Sequence, residues 1–169
     1  MRILYLTRHA KSSWDDPNGT DHERPLNRRG ERDAPFMAEV YERRSEPLDL
    51  LVSSTAVRAL STARTFATRL GMPVSGIQER HEIYLADHRT LLRLVNGLPD
   101  HARSVMLFGH DPGLIDLVNY LGDTDVGHMP TCCTVRLDLD VDRWGEVSMA
   151  LGHVAWMDHP KQHPELRTT

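Results

Sequence analysis

Short apolar runs alternate along this chain with longer segments whose apolar residues recur every three or four positions. Five apolar runs predict β-strands, at residues 2–7, 49–53, 104–108, 134–139 and 147–152. Three segments have the helical period, at residues 57–70, 87–98 and 114–121. Alternation of strands and helices predicts an α/β fold, an open sheet with helices on both of its faces.

A fourth helical stretch runs from about Asn27 to Arg44 and contains Pro35. Proline removes a helix hydrogen bond, and Asp33 just before it can cap a restart, so two helical pieces are one interpretation. Among the other helix ends, we expect Ser54 or Thr55, then Gly71 and Asp87, to act as caps.

The length of 169 residues fits one domain, residues 1–169, and we find no internal repeat and no linker. Residues 158–169 are interpreted as a C-terminal tail, extended or frayed at the surface. His159 and His163 lie four apart there, but Pro160 and Pro164 interrupt any helix that would align them on a metal. The sequence therefore predicts no metal site in the tail.

The formal net charge is −4, so no overall positive field attracts nucleic acid or an anionic membrane. No apolar run approaches the roughly 18 residues that a membrane span needs. The N-terminal apolar run ends at Arg8, which is too short for a signal peptide. We therefore expect a cytoplasmic protein that binds neither nucleic acid nor membranes.

The two cysteines are adjacent, at Cys132 and Cys133. A vicinal pair closes almost no loop and has poor geometry for a structural disulfide. A cysteine zinc site would need a second pair, which the chain lacks. We interpret both as small hydrophobic residues or half-exposed thiols without chemistry.

Cationic side chains follow three of the predicted strands. Arg8 and His9 come directly after the first strand, Arg58 enters a helix after the second, and His110 follows the strand at 104–108. Ligands of open α/β sheets bind beyond the carboxyl ends of the strands, and helix N-termini there favour anions. The four side chains therefore predict an anion site, whereas an isolated Arg-His pair would be an ordinary surface feature.

Three segments carry a resemblance to a known family. Residues 4–10 (LYLTRHA), 53–63 (SSTAVRALSTA) and 109–113 (GHDPG) resemble, in order, the signature, second-arginine and second-histidine motifs of the histidine phosphatase superfamily, the phosphoglycerate-mutase-like enzymes. Residues 8–14 and 24–30 (RPLNRRG) are similar to its SixA-type phosphohistidine phosphatase branch. The similarity extends to about residue 155. It implies a three-layer α/β/α sandwich with a mostly parallel sheet, a phosphohistidine intermediate, and neither metal nor cofactor.

The motifs assign roles that suit the chemistry. His9 is the expected nucleophile, because neutral imidazole is not repelled by a phosphoryl dianion, and its second ring nitrogen should donate to a backbone carbonyl. Arg8 and Arg58 offer planar forks for phosphate oxygens. His110, protonated when phosphate is bound, is expected to add a further donor. The Ser12 hydroxyl either reaches the same oxygens or is simply a serine of a loop turn.

The general acid is the least determined role. Family order places it between the second arginine and the second histidine, where Glu82 is the best-matched carboxylate and Asp87 is more simply a helix cap. Phosphorylated imidazole leaves more easily than an alkoxide, so the acid could be less necessary here. Lys11 and Trp14 are interpreted as rim residues that contact substrate, although Lys11 could equally be only solvated.

Three functions stay open at this point. The first is a phosphatase acting on phosphohistidine in a protein, because residues 58–110 leave no room for a large lid domain. The second is a phosphomonoesterase for a small metabolite, which the same four residues would serve. The third, a non-catalytic phosphate-binding module, would require a missing nucleophile or arginine, and both are present.

Overall fold

The computed structural model describes residues 1–167, which form a six-stranded sheet and four α-helices. The strands are β1 (Arg2–Arg8), β2 (Leu50–Ser53), β3 (Gln78–Glu79), β4 (Ser104–Gly109), β5 (Thr134–Leu139) and β6 (Gly152–Asp158). The helices are α1 (Arg28–Arg43), α2 (Val57–Arg69), α3 (His88–Asn96) and α4 (Gly113–Leu121).

The sheet has the strand order β3-β2-β4-β1-β5-β6. Neighbours from β3 to β1 are parallel, whereas β5 and β6 add two antiparallel pairings at the other side. The predicted α/β class and the mostly parallel sheet are confirmed. Because β1, β2 and β4 lie side by side and point the same way, their carboxyl ends share one edge.

Two hydrophobic cores cover the two faces of the sheet. One core contains the buried side chains of α1 and α2, such as Met37 and Phe66, packed on Tyr5 and Phe108 of the sheet. The other contains Val95 of α3 and Leu117 of α4. The molecule therefore has three layers, with the sheet between two helix pairs.

Helix α1 is continuous through Pro35, so the interpretation of two helical pieces is wrong. Asn27 caps it by accepting a hydrogen bond from the Gly30 N–H. Asp33 is buried and pairs with Arg29 and Arg32 instead of capping a restart. The buried face of α1 on both sides of Pro35 offsets the one hydrogen bond that proline removes.

Two predicted helix ends are confirmed and one is wrong. Asp87 caps α3 by accepting from the Thr90 N–H at 2.8 Å, and Gly71 follows α2 with a left-handed φ of 67°. Neither Ser54 nor Thr55 caps α2, whose N-cap is Ala56.

The last strand lies at residues 152–158, not at 147–152 as predicted. Residues 149–151 are exposed, and the pairing with β5 begins only at Gly152. The preceding loop instead buries Trp144, whose ring N–H donates to the Ala102 carbonyl at 2.7 Å. The short edge strand β3 was not predicted.

The C-terminal segment is more ordered than the predicted extended or frayed tail. Residues 160–162 and 164–167 form short 3-10 turns, with Pro160 and Leu166 buried. His163 contacts the Asp158 carboxylate at 2.7 Å, which ties this segment to the end of β6. Residues 168 and 169 of the predicted tail lie outside the described residues.

None of the helices within residues 1–167 combines the length and apolar character that a membrane span requires. Across the same residues, no group of three or more His, Cys, Asp or Glu side chains is arranged to hold a metal ion.

Candidate active site

The carboxyl ends of three adjacent strands bring the predicted residues together. The His9 N–H, just beyond β1, donates to the Gly109 carbonyl of β4 at 3.1 Å. The Ser54 N–H, just beyond β2, donates to the Phe108 carbonyl at 3.0 Å. The continuing sheet hydrogen bonds thus fix where His9, His110 and the start of α2 stand relative to one another.

The His9 ring is held in one tautomer. Its Nδ1 lies 2.7 Å from the Ala10 carbonyl oxygen, which can only accept, so Nδ1 carries the proton and Nε2 has the free lone pair. The Ala10 N–H donates to Thr62 Oγ1 at 3.0 Å, and that hydroxyl donates to the Arg58 carbonyl at 2.7 Å. Helix α2 therefore anchors the backbone that orients His9.

His9 is only 8% exposed, and this burial lowers its pKa to about 4. The positive charges of Arg58, Arg8 and Arg24 lower the pKa in the same direction, against the hydrogen bond to Ala10. The imidazole is therefore neutral across the physiological pH range, as a nucleophilic histidine requires.

Arg58 lies in the first turn of α2 and is buried. Its Nε is 3.3 Å from His9 Nε2, toward which it donates. Its two terminal nitrogens donate to Asp21, one to the backbone oxygen at 2.6 Å and one to the carboxylate at 3.0 Å. The guanidinium thus meets the nucleophilic nitrogen directly.

His110 completes the pair of facing histidines, with its ring centroid 5.2 Å from that of His9. Its Nε2 lies 2.8 Å from Ser54 Oγ, which also accepts from the Ala56 N–H at 3.2 Å. The Ser54 hydroxyl can donate its hydrogen to Nε2, and in that tautomer the His110 proton lies on Nδ1. That Nδ1 is buried and has no hydrogen-bond partner among the described residues.

Burial lowers the pKa of His110 to about 3, and the nearby His9 and Arg58 act in the same direction. The ring is therefore neutral in the ligand-free protein. A neutral ring with the proton on Nδ1 can already donate to an oxyanion. Protonation with phosphate bound stays a prediction.

Arg8 donates to the Met129 carbonyl at 2.7 Å and pairs with the Asp111 carboxylate at 3.1 Å, both through the same terminal nitrogen. Its Nε is buried without a partner among residues 1–167. Arg8 Nε and His110 Nδ1 are thus two buried N–H groups available to a ligand, and a buried unpaired donor costs about 1–3 kcal/mol.

Ser12 is buried, and its hydroxyl contacts the guanidinium of Arg24. Arg24 also donates to the Ser13 carbonyl at 2.9 Å and stacks on Trp14, with 3.3 Å from its guanidinium carbon to the ring centroid. Arg24 was not among the predicted site residues. The segment at 24–30 that resembles the SixA-type branch was the available signal for it.

Asp21 and Tyr84 were also missed. The Asp21 carboxylate accepts from Arg58, from Arg24 at 2.7 Å and from the Tyr84 hydroxyl at 2.6 Å. The Tyr84 ring packs edge-on against His110, with 5.6 Å between the centroids. No local motif marked either residue, because each reaches the site from a loop.

Glu82 has an exposed side chain that pairs with Arg80 at 3.4 Å. No hydrogen bond or ion pair of Glu82 with His9, Arg8, Arg58 or His110 occurs in the part of the chain that the structure describes. Its role as general acid stays a prediction. Of the two predicted rim residues, Trp14 is 73% exposed and Lys11 is exposed as well.

Cys132 and Cys133 are free and buried. Their side chains enter opposite cores, Cys132 with α1 and α2 and Cys133 with the other helix pair. Burial raises both thiol pKa values, that of Cys133 to about 12. Cys132 contacts the site through its backbone, because its N–H donates to the His9 carbonyl at 3.1 Å.

The arrangement combines a neutral imidazole that has a free lone pair with cationic groups and unpaired N–H donors. It can bind an oxyanion and attack the atom at its centre. These are the requirements for transfer of a phosphoryl group to a histidine.

Comparisons with known proteins agree with this chemistry. The family model of the histidine phosphatase superfamily (branch 1) matches residues 4–94. An uncharacterised chloroplastic protein of Arabidopsis thaliana, At3g52155, is 28% identical over 163 residues, which are 92% of this chain and 74% of that protein.

Solved structures share the whole fold. A crystal structure assigned as the phosphohistidine phosphatase SixA of Agrobacterium tumefaciens has 28% identity and a TM-score of 0.78, covering 94% of this chain and 98% of its own. The protein histidine phosphatase SixA in complex with tungstate has a TM-score of 0.80 at 21% identity, covering 95% and 98% of the two chains. Because the matched family segment includes His9 and Arg58 and spans more than half of the chain, this protein belongs to the histidine phosphatase superfamily and is a phosphatase.

Proposed function

We propose that this protein removes the phosphoryl group from phosphohistidine on another protein, through an intermediate phosphorylated on His9. The observation that carries the proposal is the His9 ring, with Nδ1 fixed by the Ala10 carbonyl and Nε2 facing Arg58 at 3.3 Å. This geometry supports Nε2 as the attacking atom.

In the first step the Nε2 lone pair forms a bond to phosphorus while the bond from phosphorus to the leaving group breaks in line. The electron pair of the broken bond stays on the leaving atom. In the second step water attacks the phosphorus, inorganic phosphate is released and His9 regains its lone pair.

The charge on the transferred group is met by Arg8, Arg58 and His110, with Ser12 and Arg24 beside them. Arg8 Nε and His110 Nδ1 are donors without other partners in residues 1–167. Such preorganised donors typically stabilise a transition state by about 3–4 kcal/mol each. We propose that these groups suffice without a metal or cofactor.

Support for a protein substrate comes from the segment between α2 and β4. That segment contains β3, two short 3-10 turns and α3, and α3 buries Leu91 and Val95 in the core beside α4. The segment therefore adds no separate lid domain, although its Tyr84 packs beside His110. A histidine carried on a folded partner needs an open approach, and we infer that this partner is met in the cytoplasm.

One observation favours a second candidate, a small-molecule phosphomonoesterase. A cleft of about 810 Å³ beside the site is lined by Ser13, Arg24 and other residues of the segment 13–31. That volume is within the range of small-ligand pockets. In this case Glu82 would be the proposed proton donor for an alcohol leaving group.

A substrate comparison separates the two candidates. We expect a higher kcat/KM for a phosphohistidine-bearing protein than for a panel of phosphorylated sugars, glycerates and nucleotides. Arg58→Ala should lower turnover of every substrate by at least about 100-fold. A phosphoester turned over faster than the phosphohistidine protein would favour the second candidate.

A further inference from the structure

Asp21 is the partly exposed partner of Arg58. His9 and Arg58 are 8% and 3% exposed, whereas the Asp21 side chain is 36% exposed. In-line transfer places the leaving group opposite the attacking Nε2, which means toward solvent. The Asp21 carboxylate contacts Tyr84 and Arg58, and Arg58 in turn donates toward His9 Nε2, so one guanidinium links this carboxylate to the attacking atom.

Three donors hold the carboxylate in place. Oδ1 accepts from Arg24, and Oδ2 accepts from Arg58 and from the Tyr84 hydroxyl. An ionised carboxylate has about four acceptor positions, so one is left for a further N–H. The group is thus fixed and still able to bind a donor.

Asp21 cannot serve as a proton donor at neutral pH. The hydrogen bond from Tyr84, together with Arg24 and Arg58, lowers the pKa of its carboxyl to about 2. An alkoxide leaving group would gain nothing from such a carboxylate. A leaving group that carries its own proton would gain a hydrogen bond to a charged acceptor.

We propose that Asp21 determines the leaving-group preference of the site, by accepting a hydrogen bond from the protonated second nitrogen of a leaving imidazole. This inference rests on the proposed function and names the residue that would distinguish phosphohistidine from phosphoesters.

The step balances without an external acid. The His9 lone pair forms the new bond between nitrogen and phosphorus, and the electron pair of the broken bond stays on the substrate nitrogen. When the substrate ring is protonated on its other nitrogen, where Asp21 accepts the hydrogen bond, the ring leaves as neutral imidazole. The Asp21 carboxylate stabilises the protonated form of the substrate imidazole before the transfer.

The test compares two probes that differ in the leaving group, a phosphohistidine peptide and p-nitrophenyl phosphate. Asp21→Asn removes the charge, and we expect it to lower kcat/KM for the peptide by about 10- to 100-fold. For p-nitrophenyl phosphate, whose phenolate leaves without a proton, only the effect on Arg58 remains, and the loss should be about tenfold smaller than the loss for the peptide. Asp125→Asn, the same charge change at an exposed residue outside the site and its cleft, should alter neither.

Tyr84→Phe is a second variant that leaves the Asp21 charge in place and removes only the hydroxyl at 2.6 Å. We expect a smaller loss than for Asp21→Asn, about fivefold for the peptide, and again a smaller loss for p-nitrophenyl phosphate than for the peptide. Equal losses on both probes would mean that Asp21 only orients Arg58, and no loss on either would mean that it does not touch the leaving group. Both results overturn the inference.

Failure of the proposed function would be visible separately. A wild-type enzyme that hydrolyses p-nitrophenyl phosphate but not the phosphohistidine peptide contradicts the proposed substrate, and Asp21 then has no imidazole to bind. The variants decide on Asp21 only when the wild-type enzyme turns over both probes.

Discussion

At the scale of single residues, the protonation state of His9 follows from its burial. The ring is almost completely removed from water and lies near three arginines, and together these disfavour its charged form more than the hydrogen bond to Ala10 favours it. The same environment that keeps the imidazole neutral also makes it a source of pH-dependent stability.

The pH dependence of unfolding tests this environment. The pKa of His9 falls from an ordinary 6.5 to about 4 in the folded protein. The unfolded chain therefore binds more protons between these values, and stability is full above pH 6.5 and is lost as pH falls toward 4. Between pH 7 and pH 5 we expect His9 to account for about 2 kcal/mol of lost unfolding free energy.

Urea unfolding of His9→Ala should lack this portion of the loss, while His101→Ala, at an exposed histidine, should behave like the wild type. An equal loss in wild type and His9→Ala would contradict the neutral, buried ring.

Thr62 provides a second test, of how the ring is oriented. Thr62→Val removes the acceptor of the Ala10 N–H, leaving that group unpaired beside His9. We expect a loss of about 1–3 kcal/mol in unfolding free energy and a fall in kcat of at least tenfold. Thr65→Val is the matched control, because Thr65 only bonds to Ser61 within the same helix. An unchanged kcat in Thr62→Val would show that helix α2 does not orient His9.

The sequence predicted the residues next to strand ends and missed those that reach the site from loops. His9, Arg58 and His110 follow β1, β2 and β4, so the strand pattern alone brings them to one edge. Asp21 and Tyr84 meet through a contact between residues 63 positions apart, and no periodicity encodes such a contact. The sequence predicted Ser54 as a helix cap, whereas its hydroxyl contacts His110. This contact joins residues distant in sequence, so the local pattern does not contain it.

At the scale of elements, the loop that carries Ser12, Asp21 and Arg24 is held against the start of α1. Ser12 bridges to Leu26, and the Asn27 N–H donates to the Lys11 carbonyl at 3.0 Å. Gly30 lets the helix approach this backbone, since a Cβ there would lie 2.1 Å from the Lys11 oxygen. Only glycine fits at this position.

Gly30→Ala should therefore push α1 away from the loop. We expect a loss of about 1–3 kcal/mol of unfolding free energy, measured by urea denaturation, with a fall in kcat/KM because the loop moves. Gly127→Ala, where a Cβ meets nothing within 4 Å, should change the free energy by less than about 0.5 kcal/mol. Equal stability of the two variants would show that the close approach is unimportant.

Long elements were predictable, and short or interrupted ones were not. Helix α2 and strand β4 follow clear apolar periods, whereas β3 has only two residues, too few for any pattern. Residues 149–151 are apolar, as in a strand, and yet they are exposed. In the loop before β6 it is Trp144 that is buried in the core instead. The tertiary environment, which the local pattern does not contain, decided these cases.

At the scale of the whole molecule, the sheet separates the two cysteines. Since Cys132 and Cys133 enter opposite cores, they lie side by side in sequence without facing each other. Their raised pKa values leave almost no thiolate at neutral pH.

A thiol reagent such as Ellman's reagent should therefore find no reactive thiol in the native protein. After unfolding in guanidinium chloride, both cysteines should react. Rapid reaction of one equivalent in the native state would contradict the buried placement of the pair.

The three layers also determine where chemistry is possible. Both cores are closed by helices, and the edge at the carboxyl ends of β1, β2 and β4 is where His9, Arg58 and His110 meet. The central claim is that a phosphoryl group passes through His9 at this edge.

Trapping the intermediate tests that claim most directly. The enzyme is mixed with a ³²P-labelled phosphohistidine peptide, quenched in alkali within milliseconds and digested for mass spectrometry. We predict a base-stable, acid-labile phosphoryl group on the peptide that contains His9, and neither label nor turnover in His9→Ala. Turnover retained by His9→Ala, or label on another residue, would contradict the account.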